Sequence, residues 1–235
     1  MLLRQLFDRE SSTYTYLLAD KPGGQACLID PVQEQMPSYL TLLEQLELEL
    51  VFACDTHIHA DHITALGALK QETACATYVG TPGEVNCASN GLQHGDRLVF
   101  GDAQLEAIFT PGHTDSSFCF LLQSSGQTFL FSGDTLLIRG CGRTDFQNGD
   151  AQQMYHSLHD TLLTLDDNTV VYPAHDYKGW TVSSIGEERA FNPRLQIASC
   201  EAFVEHMKNL DLPDPKMMDI AVPRNMSCGK AGTIQ

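Results

Sequence analysis

Short runs of β-branched, aromatic and aliphatic residues, broken by Gly, Pro and Asp, dominate the first half of the chain. On that pattern residues 13–19, 26–29 and 50–54 read as strands, and so do 97–100, 104–110, 117–122 and 128–132. Residues 33–46 place Met36, Leu40, Leu43 and Leu46 near a helical spacing. Residues 61–70 repeat that signal, with Ile63, Leu66 and Leu69 on one face and Asp61 near the start. After Asp150 the pattern is helical to Leu165, and residues 170–173 give another strand. Residues 187 to about 210 are helical with a break at Pro193, and the segment from Pro213 reads as irregular. Two strand-rich halves, each followed by helices, predict an α/β protein whose helices cover the outer faces of central sheets. With no repeat, low-complexity tract or linker, residues 1–235 are expected to form a single domain.

Composition narrows the function classes. A chain of 235 residues, 43% hydrophobic and 19% charged, can bury a sizeable core and is not disordered. Its net charge is −16, from 30 acidic residues against 14 Lys and Arg. That field repels phosphate backbones, so no nucleic-acid partner is expected. Met1 to Asp8 is too short and too soon interrupted for a signal peptide. No apolar run approaches the roughly 18 residues of a membrane span, so no membrane association is expected. A cytoplasmic protein is the reading, with an organellar form that has lost an import segment as the alternative. Eight cysteines are scattered without any C-x-x-C pair, and several sit in apolar stretches such as Phe118-Cys119-Phe120. They predict a reducing compartment rather than a disulfide framework. Cys228 near the end is expected to be exposed and oxidisable.

The chemistry concentrates at strand ends. Thr56-His57-Ile58-His59-Ala60-Asp61-His62 follows an apolar strand and packs three imidazoles and a carboxylate into six residues. Those are ligands suited to a first-row divalent ion; for this motif alone, a polar loop capped by Asp61 is the alternative. His113 in Pro111-Gly112-His113-Thr114, Asp134 in Ser132-Gly133-Asp134 and His175 in Pro173-Ala174-His175-Asp176 each follow a further apolar strand. Loops at the ends of strands can converge on one point, and four such motifs predict a metal site.

In that order the four motifs resemble the metallo-β-lactamase superfamily. The resemblance implies an αββα sandwich of two mixed β-sheets flanked by helices. It leaves two metal arrangements open. In the dinuclear zinc hydrolases of acyl-glutathione thioesters, glyoxalase II among them, His57, His59 and His113 would hold one zinc. Asp61, His62 and His175 would hold the other, and Asp134 would bridge. In a second group His57, His113 and Asp134 hold a single Fe(II), one per chain, and leave positions open. His59, Asp61, His62 and His175 would then orient the ligands by hydrogen bonds.

The surrounding residues are similar to the persulfide dioxygenase family, also called sulfur dioxygenases. The similarity lies in the stretch from Gly133 to Gln147, in Tyr155-His156-Ser157-Leu158-His159 and in Tyr172 to Tyr177. It continues in Asn192-Pro193-Arg194-Leu195 and Ala221-Val222-Pro223. The 60 residues after His175 also fit that family better than the longer helical domain of glyoxalase II. The resemblance implies a non-haem iron dioxygenase that oxidises glutathione persulfide with O₂ and water to sulfite and glutathione in sulfide catabolism. Family members are often homodimers. Arg143, in a glycine-rich loop nine residues after Asp134, is expected to receive a glutathione carboxylate, with an ion pair to Asp145 as the alternative. Tyr177 is expected to offer its hydroxyl to the substrate, with plain packing near the metal as the alternative. Arg194 and Arg224 are weaker candidates, and Cys141 reads as a small residue in a tight turn.

Overall fold

The structure is a computed structural model and describes residues 1–80, 87–213 and 217–229. In chain order the first elements are β1 (Leu2–Phe7), β2 (Tyr14–Ala19), β3 (Gln25–Ile29), α1 (Met36–Gln45), β4 (Glu49–Cys54), α2 (Leu66–Thr73), β5 (Ala76–Gly80) and β6 (Asn90–Leu92). There follow β7 (Arg97–Phe100), β8 (Ala103–Phe109), β9 (Phe118–Ser124), β10 (Gln127–Gly133), α3 (Ala151–His156), β11 (Val170–Pro173), β12 (Ser183–Ser184), α4 (Ile185–Phe191), α5 (Cys200–Lys208) and α6 (Met218–Asn225).

The strands form two six-stranded mixed sheets, ordered β1-β2-β3-β4-β5-β6 and β12-β11-β10-β9-β8-β7. In the first, β1, β2 and β3 pair antiparallel and β3 to β6 parallel. In the second, β8, β9 and β10 pair antiparallel, and β10 runs parallel to β11. The chain divides into two compact units, one of residues 1–92, 98–104 and 214–235, the other of 93–97 and 105–213.

Each unit has its own core. In the first, Leu17 and Leu28 of the sheet pack with Tyr39 and Leu43 of α1 and Leu66 and Leu69 of α2. Leu43, Leu66 and Leu69 are among the apolar positions the spacing predicts; Tyr39 is not, and Met36, Leu40 and Leu46 are only partly buried. In the second, Leu130 and Val171 meet Met154, Leu158, Leu162, Ile185 and Phe203. The helical pattern after Asp150 is real but changes its pitch. α3 passes into a π turn over Ser157–Thr161 and a 3₁₀ turn over Leu162–Thr164.

Three expectations are corrected. The helix predicted over 61–70 starts only at Leu66, because the preceding backbone bonds to other segments: Ala65 N–H donates to Pro31 and the Ile63 carbonyl accepts from Gln33. The segment from Pro213 is not wholly irregular, since it contains α6, which buries Ala221 and Asn225 four residues apart. Pro223 hides that helix in the sequence although it removes only one backbone bond. Finally, Cys87 and Cys228 form a disulfide spanning 141 residues, contrary to the cysteine pattern, and Cys228 is buried rather than exposed. Spacing alone could not show that α6 returns to the first sheet's unit.

Candidate metal centre

In the first unit the histidine-rich loop with the candidate ligands leaves the end of β4 and runs from His57 to His62 without regular structure. His57, His59 and His62 are all buried, with ring centroids 4.1 Å apart for His57 and His59 and 4.3 Å for His59 and His62. Nitrogen and oxygen donors of His59, Asp61 and His62 lie within 4.8 Å of one another.

Asp30, at the end of β3, organises this loop. Its Oδ1 accepts from the Thr56 backbone N–H at 2.6 Å and faces His59 Nε2 at 3.1 Å, while Oδ2 accepts from the Thr56 hydroxyl at 3.0 Å. Burial raises the Asp30 carboxyl, against the lowering influence of His57 and of the Thr56 bonds. Burial, with Asp30 nearby, raises the Asp55 carboxyl much further, and Asp55 accepts from the Thr64 hydroxyl. Asp61 accepts from Thr13 at 3.0 Å and lies 3.0 Å from His62 Nδ1.

In the second unit the candidate ligands stand at strand ends set by tight turns. Gly112, just before His113, has φ +141°, and a Cβ there would lie 2.4 Å from the Met154 backbone. Gly142 is equally constrained: a Cβ would meet the Asp134 carbonyl at 2.5 Å and the His113 ring at 2.8 Å. His113 Nδ1 donates to the Arg143 carbonyl at 2.7 Å, so its Nε2 keeps a lone pair. That Nε2 lies 3.6 Å from Asp134 Oδ2, near the ~3 Å that separates adjacent donors about 2.1 Å from a shared ion. The other oxygen, Asp134 Oδ1, is 2.6 Å from His175 Nδ1.

Arg143 is held as an ion pair. Its Nε and Nη2 donate to the two oxygens of Asp145 at 2.7 and 2.8 Å, Nη1 donates to the Pro213 carbonyl, and the guanidinium lies over Phe146. Tyr177 is 74% exposed, with its ring parallel to that of His175 at 6.2 Å. Burial pushes the Cys141 thiol up to about 12, against a lowering influence from Arg194, so it is no ready thiolate. Arg139, between Arg143 and Asp134 in sequence, pairs with Glu187 and buried Glu188.

The donor set suits a transition-metal ion: imidazole nitrogens and carboxylate oxygens on strand-end loops. An observation of the first unit agrees, since His62 Nε2 is buried with no hydrogen-bond partner among the described residues. Sequence reasoning missed Asp30, whose only signal is an acid at a strand end. It also missed Asn225, which meets the ligand loop from more than 160 residues away and has no local signal.

Residues 8–175 match the metallo-β-lactamase superfamily, whose fold the two mixed sheets represent, and a metal cofactor goes with that fold and with the cluster of histidines and aspartates. A crystal structure of ETHE1 from Myxococcus xanthus superposes with a TM-score of 0.93 at 51% identity, covering 98% of this chain and 100% of that one. The mitochondrial persulfide dioxygenase ETHE1 of Mus musculus is 47% identical over 97% of this chain and 89% of its own length. A probable hydroxyacylglutathione hydrolase of Schizosaccharomyces pombe is more distant, 34% identical over 88% of this chain and 90% of its own. The chain belongs to the persulfide dioxygenase family of that superfamily. Among the described residues no helix is long and apolar enough to cross a membrane.

Proposed function

We propose that this enzyme is an oxidoreductase converting glutathione persulfide, O₂ and water to glutathione and sulfite. The sulfane sulfur leaves its partner sulfur and gains three oxygens, two from dioxygen and one from water. The thiol returns as glutathione, and two protons are released. Residues 1–235 act as one metallo-β-lactamase-like domain in this reading. The enzyme is cytoplasmic or, like its mitochondrial mammalian relatives, organellar, and it works as a homodimer.

His57, His113 and Asp134 hold one ferrous ion. When bound, that ion supplies the redox-active centre at which dioxygen and the sulfane sulfur meet. The protein's own groups do the positioning. Arg143's carbonyl fixes the His113 tautomer, and His175 fixes the Asp134 carboxylate. Asp30 and Asp61 anchor His59 and His62 in the loop that carries His57. Arg143 and Tyr177 receive the glutathione part, and Arg143 must exchange its Asp145 partner to do so.

One observation carries the choice of a single metal. Asp134 Oδ1 lies 2.6 Å from His175 Nδ1, so in this reading His175 orients the carboxylate rather than ligating a second ion. The test is metal content and gas consumption. Protein purified under low oxygen is expected to carry about one iron per chain and to take up O₂ on addition of glutathione persulfide. Two zincs per chain, with thioester hydrolysis and no oxygen uptake, would establish the hydrolase instead.

A further inference from the structure

The ligand loop of the first unit lacks regular structure, yet its backbone is fastened at three points by one side chain. Asn225, at the C-terminal end of α6, donates from Nδ2 to the His59 carbonyl at 2.9 Å and to the His62 carbonyl at 2.8 Å. Its Oδ1 accepts from the Thr64 backbone N–H at 2.9 Å. The residue is 2% exposed, so these bonds have no competition from water. An amide is the one side chain of this size that offers two donors and an acceptor here; a carboxylate would set oxygens against two carbonyl oxygens. The segment bearing Asn225 is itself fastened. The Cys228 carbonyl accepts from the Gly67 N–H at 3.0 Å, and Cys228 is bonded to Cys87.

We propose that Asn225 is a positioning residue for the metal centre. By pinning the carbonyls of His59 and His62 it fixes the backbone path that presents the loop's imidazoles. The inference rests on the iron reading above, and it concerns how firmly the metal is kept rather than how the substrate is bound.

The experiment compares the full-length chain with Asn225→Asp and Asn225→Ala. Iron is loaded anaerobically, and its release to a ferrous chelator is followed together with the visible spectrum of the Co(II)-loaded protein. Both variants are expected to release iron about tenfold faster or more, the size of effect seen for groups that orient metal ligands. The cobalt bands should shift while KM for glutathione persulfide stays the same. A variant with a lowered melting temperature but unchanged release and spectrum would reduce Asn225 to a structural role and overturn the proposal. So would a raised KM without faster release. Should both variants fail to fold, amide exchange of the unmodified, metal-free protein decides: Thr64 N–H must be protected like the core of α6, and free-loop exchange there overturns the proposal. That readout needs no iron. Protection at Thr64 in a protein that shows no iron-dependent oxygen uptake would therefore remove the dioxygenase reading alone.

Discussion

The two halves of the candidate ligand set are built by opposite means. In the second unit His113, Asp134 and His175 follow β8, β10 and β11 closely. Their geometry comes from strand ends, two glycine positions and contacts among themselves. In the first unit His57 to His62 lie on an irregular loop, positioned by the buried carboxylate of Asp30 and by Asn225 from a distant helix. A ligand on a strand end inherits the rigidity of the sheet. A ligand on a loop is only as rigid as the polar groups that reach it. The first half is therefore the one that changes elsewhere in the fold can tune.

The largest effect is expected where both imidazoles of the second unit face one carboxylate. Asp134→Ala removes the group between His113 and His175. It should abolish iron binding and lower oxygen uptake about a thousandfold or more, as loss of several kcal/mol of metal-dependent stabilisation requires. Near-normal iron content in this variant would show that Asp134 is not a ligand. Next comes Asp30→Asn, which keeps the shape but removes the charge facing His59 and Thr56. Iron affinity is expected to fall about 10–100-fold. Because the Asp30 carboxylate bonds to Thr56 and His59 of the loop, amide exchange should rise around residues 56–64 and stay unchanged near His113. A uniform rise in both units would erase the contrast drawn above.

The covalent fastening gives a smaller, purely energetic difference. Cys87→Ser, or reduction by a low-molecular-weight thiol, opens a link closed over 141 residues. It should cost on the order of 2–5 kcal/mol of stability. Urea denaturation with and without reductant measures it. Cys27, Cys54, Cys75, Cys119, Cys141 and Cys200 are thiols rather than half-cystines, so reductant should leave the Cys87→Ser variant unaffected. A midpoint that reductant does not shift in the parent protein would mean that the bond contributes nothing in solution.

The same contrast explains what the sequence could reveal. β2 to β4 and β7 to β11 were legible because apolar residues run or alternate along each at strand length, and every candidate ligand was visible because it sits in a short motif at a strand end. β5 and β6 were not, since Ala76–Gly80 and Asn90–Leu92 are short and carry Gly or Asn. β1 was not legible either, since Arg4 and Gln5 interrupt its apolar run. Asn225, Asp30 and the Cys87–Cys228 bond were illegible for a deeper reason. Each acts across 26 to 166 residues, and no local pattern encodes the return of a distant segment. Arg143 shows a third case: its motif was found, but its partner in the folded chain decides what it can do.

That partner sets the smallest expected effect. The two hydrogen bonds from Arg143 hold the Asp145 carboxyl below the ordinary carboxylate range, against a raising influence from burial. The pairing is therefore complete above the ordinary value of ~3.9 and is lost only as the pH falls through the lowered folded value. Acidity within a working range near neutral cannot free the guanidinium, but a substitution can. Asp145 is half exposed, and exposed pairs contribute only about 0.2–1 kcal/mol. Asp145→Asn should thus lower KM for glutathione persulfide by no more than about two- to fivefold, with kcat unchanged. Arg143→Ala should raise KM by more than that, because it removes the cation instead of its competitor. If both variants leave KM where it was, the guanidinium serves to hold its own loop, whose carbonyl fixes His113, and the substrate carboxylate must be received by another cation of this acidic protein.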